Sequence, residues 1–403
     1  MKSYIVLVSL FILTSCNKQK SNYQNNFETV KDSLKTIYAP DTRVEVFDIK
    51  LVRKDKTLLI SGETTNSEII LIFNNKLTHL IDKTDSFNID YNIDLLPNKS
   101  VKQTKYAVVN NSVANMRSQP KHSAELGTQA ILGTVLNVLK IENGFCLIQT
   151  PDRYISWVDN GGITLMTDEE IKKWQSTPKI IYTKTVGNVY KSKNANSPIV
   201  SDIVLGAQLA LLETTEDFYK VAFPDNRVGY IKQKDAAIYE TWINTIKPSS
   251  SLIELTAKKF IGLPYLWGGT SSKGMDCSGF TKTVYLMNGF VIPRDASQQI
   301  NAGKVVDTNL TFENLQKGDL LFFGKKATDS TKQRTTHVGI WLGNDNDEFI
   351  HAANNVGVNS INSEADNFDE FNKNRYLGAR RYLGVNDDMI INLKDKTEAN
   401  HPN

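Results

Sequence analysis

"PYLWGGTSSKGMDCSGF", residues 264–280, sets a glycine-ended loop against an Asp-Cys-Ser-Gly turn, and the residues after it decide what kind of domain this is. Phe280, Val284 and Met287 recur at helical spacing, which predicts a helix beginning at or near Cys277. A cysteine there meets unpaired backbone N–H groups and the positive end of the helix dipole. Those conditions favour a thiolate and offer donors to an oxyanion. Just upstream, "SLIELTAKKFIG" (251–262) reads as an amphipathic helix closed by Gly262.

A nucleophile needs a base, and the chain has five histidines. His337 opens "HVGIWLG" (337–343) and His351 ends "DEFIH" (347–351), two strand-like runs joined by the turn-rich "GNDND". A hairpin turning at Asn344 makes them cross-strand neighbours, ~5 Å apart at Cβ. One histidine can then take the thiol proton while the other orients it. The same three residues also admit a zinc reading. Structural zinc ligands come in short-spaced pairs, whereas sixty residues separate Cys277 from His337, so no metal or other cofactor is expected.

Internal repetition organises the middle of the chain. "AILGTVLNVLKIENGFCLIQTPDRYISWV" (130–158) aligns without a gap on "IVLGAQLALLETTEDFYKVAFPDNRVGYI" (203–231), at a constant offset of 73 residues. Short alternating strands broken by turn residues predict two small barrels, at 103–165 and 178–242. Between them "TDEEIKKWQS" (167–176) reads as a short helix, with Thr167 three residues before Glu170 as a capping box. Residues 28–100 read as a small α/β domain: "ETVKDSLKTIY" (28–38) as a helix, and "RVEVFDIKLV" (43–52), "TLLISGET" (57–64) and "EIILIFN" (68–74) as strands.

The N-terminus carries Lys2, an apolar run from Tyr4 to Leu13, and "LTSC" ending at Cys16. The run is too short to span a bilayer and reads as a secretion signal over 1–16. Residues 17–27, polar and without periodicity, read as a tether, and 386–403 as a polar tail. An exported chain with only three cysteines has few to spare for disulfides. Cys146, in the strand-like "GFCLIQT", reads as packing, which leaves the thiol of Cys277 in need of another explanation. The 403 residues are 40% hydrophobic and 23% charged, with a formal net charge of +3. No basic stripe points to nucleic acid. The chain is expected to act as a monomer.

Three resemblances extend this reading. "LTSC" resembles the bacterial lipoprotein processing box, which implies lipidation at Cys16, and Asn17 after it implies the periplasmic side of the outer membrane. "VANMRSQP … LGTVLNVL … GFCLIQT … YISWV" resembles bacterial SH3-like domains. "PYLWGGTSSKGMDCSGF", "IPRDASQQ", "LQKGDLLFF", "THVGIWLG" and "EFIHAAN" occur in the order found in NlpC/p60 cysteine peptidases, which the segment 250–385 therefore resembles.

That resemblance implies an α+β chain whose papain-like catalytic domain cleaves between γ-D-glutamate and a diamino acid in peptidoglycan stem peptides. It implies Cys277 as nucleophile, His337 as general base and His351 as the residue orienting it. Tyr265 falls beside the nucleophile to help hold the oxyanion, and Asp276, Ser278 and Ser297 fall on substrate-contacting positions. In relatives with two SH3-like domains the first supplies an acid and an aromatic to the cleft, here Glu125 and Tyr154. The second repeat has Pro198 and Arg227 at the aligned positions. A free N-terminal L-alanine is then the expected substrate end, its ammonium met by Asp276 and Glu125. The alternative is a non-catalytic peptidoglycan-binding lipoprotein that uses its SH3-like domains.

Overall fold

The structure is a computed structural model that describes residues 22–81 and 87–395. The signal segment, Cys16, Asn17 and the tether up to residue 21 lie outside the described residues. The chain divides into two compact units, 1–96 and 97–403.

The first unit departs twice from the sequence reading. Helix Asn22–Tyr38 begins inside the expected tether, because Phe27, Val30 and Leu34 form a buried stripe at helical spacing amid polar neighbours. "EIILIFN" is helical and not a strand: Ser67–Ile81 forms one helix that buries Ile69, Phe73 and Leu77 at four-residue intervals and leaves Leu71 67% exposed. A seven-residue β-branched run looks the same in either structure, and only the longer period separates them. This helix connects strand Thr57–Thr64 to strand Asn88–Leu95, which lie parallel, while Phe47–Lys54 pairs antiparallel with Thr57–Thr64. Phe27 and Phe73 meet edge to face at 5.6 Å in the core between the two helices.

In the second unit the repeat becomes two barrels with one strand order. The seven strands starting at Tyr106, Val113, Leu126, Val135, Phe145, Ile155 and Ile163 recur 73 residues later, and the copies share the same neighbour sequence. Alternation puts Met116, Leu136, Val138 and Ile148 inside the first barrel, and Val189, Leu209, Val221 and Ile231 inside the second. The linking helix Asp168–Ser176 is capped as expected: Thr167 Oγ1 accepts from the Glu170 N–H at 3.3 Å and Glu170 Oε2 from the Thr167 N–H at 2.8 Å. Its Ile171 and Trp174 pack between Val108 of one barrel and Ala210 of the other.

The C-terminal domain packs helices Ser250–Lys258 and Cys277–Leu286 against a six-stranded sheet. Strands Leu320–Lys325, Arg334–Trp341 and Glu348–Ala352 are central to it. Phe280 and Val284 meet Val338, Ile340 and Ile350 in a core without solvent access. The expected tail is partly structured: Ile391–Asn392 pairs with Phe290–Val291, and the Leu393 N–H donates to the Gly289 carbonyl, because Ile390 covers the end of this core.

Candidate active site

Cys277 is the first residue of helix Cys277–Leu286, where its spacing placed it. Asp276 caps that helix, accepting from the Gly279 N–H at 2.7 Å. Gly279 has no alternative, since a Cβ there would stand 2.0 Å from the Gly269 carbonyl oxygen. The helix thus sits directly on the loop that precedes it, and the thiol is sealed at 6% exposure.

The two histidines meet, though not as directly opposed partners. The pairs Ile340↔Ile350 and Trp341↔Phe349 centre the hairpin one residue beyond Asn344, which places His351 opposite Gly339 and diagonal to His337. A shift of two positions keeps both side chains on the same face, whereas a shift of one would have separated them. The rings touch edge to face at 5.0 Å, with His337 Nε2 2.7 Å from His351 Nδ1.

Asn359 fixes the direction of that bond. Its Nδ2 donates to the Asn367 carbonyl at 3.2 Å, so its Oδ1 faces His351 Nε2 at 2.9 Å and must accept. His351 therefore carries its proton on Nε2 and accepts at Nδ1, and His337 donates from Nε2. The remaining nitrogen of His337, Nδ1, is left with a lone pair, the form a general base requires. Asn367 is held in turn by Glu348 at 3.0 Å. Neither Asn359 nor Asn367 stands out in the sequence, because a single asparagine in a strand or turn carries no periodic signal.

Burial opposes the thiolate that a helix start favours. Burial, reinforced by Asp276, pushes the Cys277 thiol up to about 12, against the pull of hydrogen bonds from the backbone of Val338 and Ser278. Burial also holds His337 well below 6.5, helped by His351 and Arg375, and lowers His351 as well. Burial thus acts on both groups in the same sense, against the charged thiolate and against the charged imidazolium. Tyr265, half-buried beside the cleft, has its hydroxyl pKa raised by burial and by Cys277 and Asp276. Its backbone is pinned to Asn354 at 3.0 Å.

Asp276 differs from the substrate carboxylate expected. It is forked by Arg294, whose Nη2 lies 2.6 Å from Oδ2 and Nη1 3.1 Å from Oδ1, and the Gly268 N–H adds a bond at 3.0 Å. Both oxygens are engaged and the charge is offset by a guanidinium that is 1% exposed. Arg294 also reaches Ser278 Oγ at 2.9 Å and Thr128 Oγ1 of the first barrel at 2.8 Å. Its signal was the "IPRD" run, where a charged residue follows two buried apolar ones. Ser297 lies half-buried on the short helix Ala296–Gln299, three residues beyond Arg294.

The first barrel reaches the same loop. Glu125 Oε1 accepts from Trp267 Nε1 at 2.8 Å, Gln129 receives Thr270 and Ser271, and Lys282 pairs with the buried Asp152 at 2.6 Å. Gly268 permits this approach, with φ +77° and the Leu126 carbonyl oxygen 2.3 Å from where a Cβ would be. Tyr154 lies near enough to act on the charge of Arg294. Glu125 and Tyr154 are thus brought to the side of Cys277 where Asp276 and Ser278 stand.

Cys146 and Cys277 are free thiols. Cys146 donates to Asn160 Oδ1 at 3.0 Å inside the first barrel. Among the described residues no group of three His, Cys, Asp or Glu side chains is placed to hold a metal ion.

Comparison with known proteins matches residues 262–381 to the NlpC/P60 family and residues 116–163 to the bacterial dipeptidyl-peptidase Sh3 domain. A γ-D-glutamyl-L-lysine dipeptidyl-peptidase of Bacillus cereus is 31% identical over 270 residues, covering 64% of this chain and 76% of the relative. Dipeptidyl-peptidase 6 of Lysinibacillus sphaericus is 27% identical over 268 residues, covering 64% of this chain and 92% of the relative. The crystal structure of an NlpC/P60 family protein from Bacillus cereus superposes with a TM-score of 0.59 at 27% identity, over 69% of this chain and 99% of that one. Likeness of this extent, running from the first barrel through the cysteine-headed helix and the histidine strands, means that the chain belongs to the NlpC/P60 family.

Proposed function

We propose that the chain is a cell-wall cysteine peptidase that hydrolyses the bond between γ-D-glutamate and a diamino acid in stem peptides with a free N-terminal L-alanine. The observation that carries the cysteine mechanism is the Asn359–His351–His337 relay, which leaves His337 Nδ1 as the acceptor. As Cys277 Sγ attacks the γ-carbonyl carbon, the thiol proton passes to His337. The oxyanion draws on backbone N–H groups at the helix start and on the Tyr265 hydroxyl. The C–N bond then breaks as the imidazolium protonates the departing amine, leaving a thioester. Water, deprotonated by the same histidine, hydrolyses it and returns the thiol.

The free-amine preference is supported by the Glu125–Trp267 contact. It ties the first barrel to the loop that precedes Cys277, and a barrel held at that end of the cleft would compete with a glycan for the space beyond the substrate's N-terminal residue. Glu125 has one oxygen without a partner among the described residues, whereas the charge of Asp276 is already offset by Arg294. Glu125 is therefore the acid for the alanine ammonium, with Tyr154 and Ser278 contributing to the same subsite. The names of the relatives, dipeptidyl-peptidases, support the same position of cleavage. An anchor at a lipidated Cys16, on the periplasmic side of an outer membrane, completes the proposal, and unchanged membrane partition in C16S would reject that part.

The test compares L-Ala-γ-D-Glu-diaminopimelate with the same peptide attached to N-acetylmuramic acid, reading products by mass spectrometry. Cleavage of the free peptide alone is expected. Equal rates would overturn amine recognition, and no cleavage of either would favour a non-catalytic wall-binding role.

A further inference from the structure

The cleft continues past the histidines into a cavity of about 680 Å³ lined by His337, His351, Phe368, Glu370, Phe371 and Arg375 among others. None of the first barrel's residues lines it. If the alanine and γ-glutamyl residues occupy the Glu125 side, this cavity receives the other half of the substrate, the diamino acid whose amine departs. The inference rests on that reading of the reaction.

Three charged side chains line this cavity: Asp369, whose two oxygens accept from the Asn372 backbone N–H and side-chain amide, Glu370, and the cation Arg375. Arg294 and Arg381 are each forked onto an aspartate, with nitrogen–oxygen distances of 2.6 and 2.8 Å. Arg375 makes no ion pair among the described residues: the Asp369 carboxylate is near enough to act on its charge, but both its oxygens are taken by Asn372. Its Nε donates to Asn372 Oδ1 at 2.9 Å, its Nη1 to Thr336 Oγ1 at 3.1 Å, and its plane lies 4.4 Å from the ring of Phe371. These three contacts hold the guanidinium in place by neutral partners and leave Nη2 with no acceptor among the described residues. A half-buried cation oriented in this manner keeps its charge for a ligand, and a planar fork suits a carboxylate. Thr336 adjoins His337 in one strand, so the anion site is fixed in register with the reacting bond. Phe371, 70% exposed, presents a flat apolar wall that the methylene chain of a diamino acid can cover. Glu370, exposed on the same rim, has no hydrogen-bond or ion-pair partner among the described residues and complements a side-chain ammonium.

We propose that Arg375 binds a carboxylate of the leaving diamino acid and so sets which stem peptides are cut. Two carboxylates have this chemistry: the α-carboxylate of a diamino acid at the peptide's C-terminus, and the second carboxylate of diaminopimelate, which lysine lacks.

Four peptides separate them, L-Ala-γ-D-Glu followed by lysine or diaminopimelate, each as the free acid and as the C-terminal α-amide, assayed with the full chain and with R375Q and R375K. Gln removes the charge and the fork while keeping one amide donor. Wild type is expected to favour the peptides bearing the recognised carboxylate by about 10- to 100-fold in kcat/KM, mainly through KM. R375Q should collapse that ratio, and R375K, with charge but no fork, should restore part of it. A ratio that follows free acid against amide assigns the α-carboxylate, and one that follows diaminopimelate against lysine assigns the second. An R375Q that lowers kcat equally on all four peptides, or changes none, overturns the proposal by making Arg375 a support for Thr336 alone. Cleavage of none of the four by wild type overturns the peptidase reading itself.

Discussion

His337 Nε2 and His351 Nδ1 lie 2.7 Å apart in a hydrogen bond whose polarity is set by Asn359, eight residues beyond His351. A buried imidazole pair could share its protons in several ways. One amide orientation, held by the Asn367 carbonyl, selects the tautomer that leaves His337 able to accept.

Graded losses along the relay follow from this arrangement. C277A should abolish turnover with the fold retained, and H337A should be nearly as damaging. H351A and N359A should cost less, about 10- to 100-fold in kcat, since water can replace part of an orienting hydrogen bond. Steady-state kinetics on one free-amine peptide, with melting curves for each variant, checks the order. An N359A loss equal to that of C277A would break the relay argument.

Stability should form a plateau in pH to which Cys277 contributes on the alkaline side, together with the buried Cys146 thiol, and His337 on the acid side. The folded thiol titrates above its ordinary 9.0, so the unfolded chain loses its proton first and stability falls as pH rises from about 9 towards 12. His337 titrates below 6.5 when folded, so the unfolded chain gains its proton first and stability falls as pH drops below about 6.5. Arg375 and His351 face His337 and deepen the second effect. Melting temperature against pH for wild type and C277A reads the first. The alkaline fall should be shallower in C277A, and unchanged slopes would contradict a sealed thiol.

Reactivity should reflect the same burial. Alkylation of Cys277 by iodoacetamide should climb continuously from pH 6 to pH 10 with no plateau, because burial disfavours the charged form of both the thiol and His337. A plateau near neutrality would mean that the thiolate exists before substrate arrives.

Two acids near the cysteine should fail differently. R294M leaves Asp276 buried and unpaired, and should destabilise the protein by about 3–5 kcal/mol, lowering activity on every peptide. E125Q should melt like wild type and lose about 10- to 100-fold on peptides with a free alanine amine. Denaturant unfolding beside kcat/KM separates them, and a melting temperature lowered equally by both would remove the distinction.

The seam between barrel and peptidase domain should be sensitive at Gly268. G268A places a Cβ against the Leu126 carbonyl oxygen at a positive φ, so the barrel must withdraw. Selectivity for the free amine should fall towards one while Cys277 remains reactive to a small alkylating agent. Retained selectivity would mean that the loop, and not the barrel, closes the cleft.

The sequence alone was sufficient wherever a pattern repeats or a local rule applies. The 73-residue repeat located the first barrel and its copy, the capping box located the helix between them, and helical spacing after Cys277 put the thiol at a helix start. Apolar periodicity failed where it was diluted or too short, as at Asn22–Phe27 and Glu68–Asn74, since neighbouring polar or β-branched residues hide the buried stripe. Parity carried the histidine pair onto one face even with the hairpin misplaced by one residue, because side chains in a strand alternate with period two. Tertiary structure alone decided the charges and the tautomers. Arg294 reaches Asp276 from eighteen residues away, and Asn359 and Asn367 orient the histidines from a neighbouring strand and a loop. Whether Cys277 rests as thiol or thiolate depends on how completely those elements exclude water. Desolvation is a property of the packed fold, and no local run of residues records it.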